Sequence, residues 1–205
     1  MIVIGGLQFP GYDWLSQTVS ELSAIGAPSR PLWVALGLVY DVLMIAFGMG
    51  IRAAAGANRS LRIAGVLLIA FGAIGFAWPP MNPRGVPFGA NDAGHIAFAA
   101  VAVLLMLSAI GFGAAALGRR FRVYSIATLG VHLIFGALAW LDAPRIAQNL
   151  PTPWAGVTER VNIAVFLLWV AVLAVATLRG ERDAAARAAN DPGDKGARRL
   201  VTGRP

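Results

Sequence analysis

The chain has 205 residues, of which 58% are hydrophobic and 13% charged, and it carries a formal net charge of +7. Soluble domains run near about 25% charged, so this balance, with a mean hydropathy of +0.68, excludes an ordinary soluble domain and indicates a polytopic membrane protein. The absence of cysteine excludes disulfides, thiolate metal sites and cysteine nucleophiles.

In chain order, Met1–Phe9 is apolar but short: nine helical residues reach about 13.5 Å, against a hydrocarbon core of about 30 Å. It also lacks the basic leading region of a signal peptide. The next run, Gly11–Leu22, is the most polar one ahead of the apolar segments. Read at about 100° per residue, it gathers Tyr12, Leu15, Val19 and Leu22 on one arc and Asp13, Ser16, Gln17, Ser20 and Glu21 on the other. The expectation is an amphipathic helix lying across one face of a bundle.

Five apolar segments follow, each close to the about 20 residues that a spanning helix needs. They are Pro31–Ile51, Leu61–Trp78, Asp92–Leu117, Phe121–Leu141 and Arg160–Leu178. The remainder, 179–205, is rich in Ala, Arg, Gly and Asp; after about two helical turns its composition favours disorder. The expected fold is therefore all-α, with an apolar stump and outer-face segment (1–30), a five-span transmembrane bundle (31–178) and a basic cytoplasmic tail (179–205).

Basic residues orient the bundle. Thirteen of the 17 lie in the loop after the first span, the loop after the third and the tail, all on one side. The remaining four are Arg30, Arg84, Arg145 and Arg160. The excess of Lys and Arg marks the cytoplasmic side, so the expectation is a multi-pass plasma-membrane protein with a cytoplasmic C-terminus and residues 10–30 outside. This distribution also removes nucleic acid as the reason for the positive charge.

The acidic residues outside the tail, apart from Asp41, fall at the outer ends: Asp13, Glu21, Asp92, Asp142 and Glu159. With Asn82, Arg84, Asn91, His95 and Asn162 they make a rim of mixed sign over an apolar bundle, the composition expected of a polar-headgroup pocket; charges resting in water would give the same pattern. Asn91 or Asp92 suits the N-cap of the third span. His95, near the positive end of that helix, is favoured as the neutral imidazole, a form able to act as a base or ligand. Two ionisable residues, Asp41 and His132, both lie about 15 Å into their spans. Ser125, Thr128, His132 and Gly136 share a helical face with His132. A contact between Asp41 and His132 would offset the cost of burying either, as an interhelical bond or as part of a proton relay. No motif for a bound cofactor or metal is present, and none is expected.

The run Tyr12-Asp13…Ser16-Gln17…Ser20-Glu21-Leu22, followed by Gly26-Ala27-Pro28, resembles the opening motif of the domain of unknown function 998 family of bacterial and archaeal membrane proteins. Pro79…Asn82-Pro83-Arg84 and Asp92…His95 look like that family's second polar motif. The resemblance covers about residues 9–178 and implies a polytopic bundle with an outer polar set and no established activity. Members of the family usually carry a full span before the first motif, which here is shortened to Met1–Phe9.

Two functions are compatible with these residues. The first is an outward-facing pocket, lined by Tyr12, Asp13, Gln17, Glu21, Arg84 and His95, that binds a lipid headgroup or small polar ligand in an accessory or transport role. The alternative is a membrane-embedded hydrolase or transferase acting on a lipid or lipid-linked substrate, with Glu21, Asp92 or Asp142 as acid or base and His95 as partner. Membrane lipids are the expected partners, with a homo-oligomer left open.

Overall fold

In the computed structural model of the chain, residues 1–189 are described. The helices are α1 (Ile2–Gln8), α2 (Arg30–Ala54), α3 (Arg59–Gly75), α4 (Ala90–Ala116), α5 (Arg119–Ala147) and α6 (Ala155–Ala189), with a single 3-10 turn at Ser20–Ser23 and no strand among the described residues. Four of the helices, α2, α4, α5 and the part of α6 from Ala155 to Arg182, are long and apolar enough to cross a membrane. The disorder expected of the tail concerns residues that lie mostly outside those described.

The helices pack in sequence, α2 on α3, α3 on α4, α4 on α5 and α5 on α6, and α6 closes the ring with lighter contacts to α2 and α4. Phe166, Trp169 and Leu173 of α6 are almost fully buried and face Leu68 of α3, Ile110 of α4 and Phe121 of α5. Trp169 donates its indole N–H to Ser125 Oγ at 3.0 Å, so the large ring enters the core with its one polar group satisfied. Outward, Leu43, Leu104, Ile134, Leu141 and Leu168 are all more than half exposed. On a soluble protein so continuous an apolar surface would drive association; on this bundle it is the face that suits lipid.

Lipid removes much of the hydrophobic drive between helices, so close approach of backbones carries the packing. The α2–α3 pair does this with glycine. A Cβ added to Gly65 would stand 2.8 Å from the Gly48 carbonyl oxygen and 2.9 Å from the Arg52 nitrogen; at Gly72 it would stand 2.7 Å from the Asp41 carbonyl oxygen. Gly113 similarly makes room for the Trp169 ring, whereas Gly111 faces open space. Gly72 and Gly75 of α3, and Gly113 with the buried Ala109 of α4, thus carry packing.

Three expectations are corrected. Residues 11–22 do not form an amphipathic helix; they run through turns into the 3-10 turn. The Asp13 carboxylate accepts from Leu15 N and Ser16 Oγ, and Gln17 Oε1 accepts from Asp13 N, giving the backbone local partners that compete with a helix. Tyr12, Val19 and Leu22 are buried as the periodicity requires, but Leu15 is 53% exposed. The Asp41–His132 contact is also absent, because α2 and α5 are not neighbours. Asp41 lies against Gly75 of α3 and His132 beside Phe166 of α6. Finally, α4 begins after Gly89, and Asp92 sits at its third position with Oδ2 accepting the Gly89 N–H at 3.0 Å, so neither Asn91 nor Asp92 is the N-cap.

Gly65→Ala should lower the thermal midpoint in detergent micelles relative to Gly111→Ala. Both gain helix propensity of about 1 kcal/mol, but only the first overpacks a backbone contact, at about 1–3 kcal/mol. Equal midpoints would contradict the close α2–α3 approach.

Candidate ligand cavity and its polar ceiling

At one end of the bundle the connections 11–29, 76–89 and 148–154 fold over the helix ends, and Arg84 ties them together. Its Nε donates to Glu21 Oε1 at 2.9 Å and its Nη2 to Glu21 Oε2 at 3.0 Å, a two-pronged ion pair. Its Nη1 donates to Thr152 Oγ1 at 3.0 Å and to the Leu150 carbonyl, and its Nη2 also reaches the Ser16 carbonyl. The five N–H groups of a guanidinium therefore each have a protein acceptor. Glu21, only 3% exposed, further accepts from Thr18 N at 2.7 Å and Thr18 Oγ1 at 3.0 Å.

A second clamp comes from the start of α6. Pro151 and Pro153 punctuate the chain there, and α6 begins at Ala155, five residues earlier than the sequence suggests. Glu159 and Arg160 are consequently side chains of its first turns. Glu159 accepts from Val19 N, Ser20 N and Ser20 Oγ, so a carboxylate of α6 caps the 3-10 turn of the opening segment. Arg160 donates to the carbonyls of Trp14 and Gly156, each at 2.7 Å, and to Tyr12 Oη at 2.6 Å, and lies over the Tyr12 and Trp14 rings at 5.5 and 5.1 Å. A Cβ at Gly156 would run into the carbonyls of Trp14 and Gln17, so only glycine lets the loop lie this close to α6.

A third cluster belongs to α4. Asp92 accepts from Asn82 N at 2.9 Å and Asn82 Nδ2 at 2.6 Å in addition to Gly89 N. His95 places Nδ1 at 2.9 Å from the Pro79 carbonyl. Since a carbonyl only accepts, Nδ1 carries the proton, and Nε2 of the neutral ring is left as an acceptor. Trp78 packs edge-on against His95, with centroids 5.1 Å apart, and donates its N–H to Ser23 Oγ.

Beneath these clusters lies a cavity of about 200 Å³. Its polar lining comes from Thr18, Ser20, Asn82, Arg84, Asp92, His95, Glu159 and Asn162; its apolar walls come from Ile96, Ala99 and Val103 of α4 and Gly136, Ala139, Trp140 and Ala143 of α5. Ala90 to Val103 is about 20 Å of helix, more than half the thickness of a hydrocarbon core. Toward the outside of the bundle the cavity continues into a groove bounded by Phe88, Ile96, Trp140, Ala143, Pro144, Ala147 and Gln148, where Phe88 and Trp140 are 56% and 40% exposed.

Of the candidate residues, Arg84, Asp92 and His95 line the cavity. Tyr12, Asp13, Gln17 and Glu21 do not: they build the ceiling from behind. Asp142 lies half-buried on α5 outside the lining. Asp41 and His132 are also outside it, and both His132 ring nitrogens are buried without a partner. Glu21 and His95, the acid–base pair of the enzymatic reading, share no hydrogen bond; each is held by other groups. Asn82, Glu159 and Asn162 enter the lining from the wider polar rim, and Thr18 and Ser20 join them from the opening segment. The signal for Glu159 and Asn162 was their place at the head of the last apolar segment, and that for Ser20 its place on the polar arc of the opening run; Thr18 carried none.

Outside the spans, burial pushes the Tyr12 hydroxyl up to about 12, with Arg160 opposing the shift. A phenol that holds its proton more tightly when folded loses stability to the unfolded state as pH rises from about 10 to about 12. Tyr12→Phe should flatten the alkaline limb of a pH–stability curve while lowering the plateau at neutral pH through the lost Arg160 bond. An unchanged alkaline limb would contradict the buried placement of Tyr12.

Arg84→Met leaves Glu21 buried and unpaired and should destabilise by about 3 kcal/mol or more, whereas Arg84→Met with Glu21→Gln should recover part of that loss. Thermal or denaturant unfolding of the three variants checks this; purely additive losses would contradict the coupling.

A family model described as "Protein of unknown function (DUF998)" matches residues 1–176. That range includes α1, ahead of the motifs that carry the resemblance. Neither curated proteins nor solved structures give a match.

Proposed function

The chain belongs to the DUF998 family of proteins of unknown function, and from that premise we propose that it is a plasma-membrane protein whose outward-facing cavity binds an amphiphile, polar head under the ceiling and apolar part between α4 and α5. The observation that carries this reading is the division of the cavity lining: polar side chains at one end, Ala, Ile, Val and Gly along the walls, and an apolar groove leading out between the helices. A pocket for a wholly polar solute has no use for such walls, and one for a wholly apolar solute has no use for the ceiling.

Orientation follows from charge. The described members of the basic clusters, Arg52, Arg59, Arg62, Arg119, Arg120, Arg122, Arg179 and Arg182, lie at the end opposite the ceiling, which supports a cytoplasmic placement of that end. In this reading α3, about 25.5 Å long at 17 residues, is the fifth pass. It lies against α2 through Gly65 and Gly72, and an odd number of passes puts residues 10–30 outside and the C-terminus inside. Membrane lipids are the proposed partners. The role is accessory or transport, since Glu21 is taken up by Arg84 and Thr18 and shares no hydrogen bond with His95, the partner a hydrolase would need beside it.

Ala139, in the α5 wall, is the position to block. Ala139→Phe should deplete the lipid or amphiphile that co-purifies with the protein in mild detergent, measured by native mass spectrometry, with the fold retained by circular dichroism. Identical co-purifying species in both proteins would defeat the cavity reading. Reporter fusions that are active only outside the membrane should be silent after Arg182 and active before Ile2; the reverse pattern would overturn the orientation.

A further inference from the structure

The atoms left free in the cavity define the head that fits it. Arg84 is the one basic side chain in the lining among the described residues, yet each of its N–H groups already meets a protein acceptor and its charge is matched by Glu21. It has nothing left with which to clamp a phosphate. The hydroxyl protons of Thr18 and Ser20 are likewise given to Glu21 and Glu159.

What remains is a surplus of acceptors. A carboxylate offers about four acceptor positions; Asp92 and Glu159 each receive three donors and keep one. His95 is 7% exposed and its Nε2 has no partner among the described residues, which leaves that acceptor to the cavity the residue lines. The charge balance agrees: Asp92 and Glu159 have no basic partner within ion-pair distance among the described residues. The aromatic residues at the outer edge, Phe88 and Trp140, suit a cation as well.

We propose that the head bound in this cavity is a protonated amine, and that the ligand is an amine-headed amphiphile rather than a phosphate or carboxylate anion. This rests on the cavity reading above and specifies its ligand. An amine brings a positive charge to a ceiling with no free cation among the described residues, and donates to its open acceptors, the unpartnered Asn162 Oδ1 included. An anion would meet two carboxylates, with the Asn162 amide as the one donor left to it among the described residues.

The test uses the full chain in uncharged maltoside micelles at pH 7.5, with probes of matched chain length: dodecylamine, dodecanol and dodecyl phosphate. Dodecylamine should raise the thermal midpoint by about 5 °C near saturation, dodecanol by less, and dodecyl phosphate not at all. Ala139→Phe should abolish the amine shift, and Asp92→Asn or Glu159→Gln should reduce it. Phosphatidylethanolamine against phosphatidylglycerol in the same assay separates the two sources of an amine: stabilisation by the former assigns a lipid headgroup, and stabilisation by dodecylamine alone assigns a free amine amphiphile. A dodecyl phosphate shift equal to that of dodecylamine, with both lost in Ala139→Phe, overturns the amine assignment while the cavity reading stands. Shifts of the same size in wild type and Ala139→Phe overturn both.

Discussion

Everything at the ceiling end depends on one guanidinium. Arg84 sits on a connection with no regular structure of its own, between Pro83 and Gly85, and holds residue 16 and residue 21 on one side and residues 150 and 152 on the other. Loops joining antiparallel helices in a bundle are ordinarily independent of each other. Here three of them become one layer, because a planar donor with five N–H groups can satisfy several backbone carbonyls and a carboxylate at once. The Coulombic gain from Glu21 offsets the cost of burying both charges, and the backbone acceptors make the geometry specific.

This layer explains why the cavity exists. Helices free to settle would close against each other through their small residues, as α2 and α3 do at Gly48 and Gly65. Between α4 and α5 the wall positions are also small, notably Ala99, Gly136 and Ala139, yet space remains. The α4 start is fixed by Asp92 to the Asn82 loop, while the α6 start is fixed by Glu159 and Arg160 to the opening segment. The starts of α4 and α6 are thus tied to the ceiling, and the cavity lies directly beneath it, between the ceiling and the α4–α5 contact. The cavity is a consequence of how the polar groups satisfy one another.

The sequence revealed much of the bundle and less of the site, for a physical reason. Apolar runs near 20 residues mark helices because lipid allows backbone polar groups few other solutions, so α2 to α6 were legible as apolar segments, whereas the Asn58 cap that starts α3 two residues ahead of the expected Leu61 was not read. The position of Glu21 in a polar run, and of Arg84 after Asn82-Pro83, marked both as unusual. What no periodicity could show was that the two pair with each other over 63 residues, because that depends on how three loops meet. The opening run failed as a helix because Asp13, Gln17 and Glu21 bond to its own backbone, while Ser20 gives its hydroxyl to the Glu159 side chain of α6. Asp41 and His132 were matched by depth alone, and depth says nothing of which helices are neighbours.

Labour is divided at this end of the bundle: the charged residues most conspicuous in the sequence hold the ceiling, and the ligand meets what they leave free. A structure of the protein extracted with its native lipids tests this most directly. The account predicts an elongated density between α4 and α5, passing Ala99 and Ala139, with its head near Glu159 and His95 and with the Arg84–Glu21 pair intact. Density bound to the Arg84 guanidinium with Glu21 displaced, or Ala99 and Ala139 closed on each other with no density between them, would contradict it.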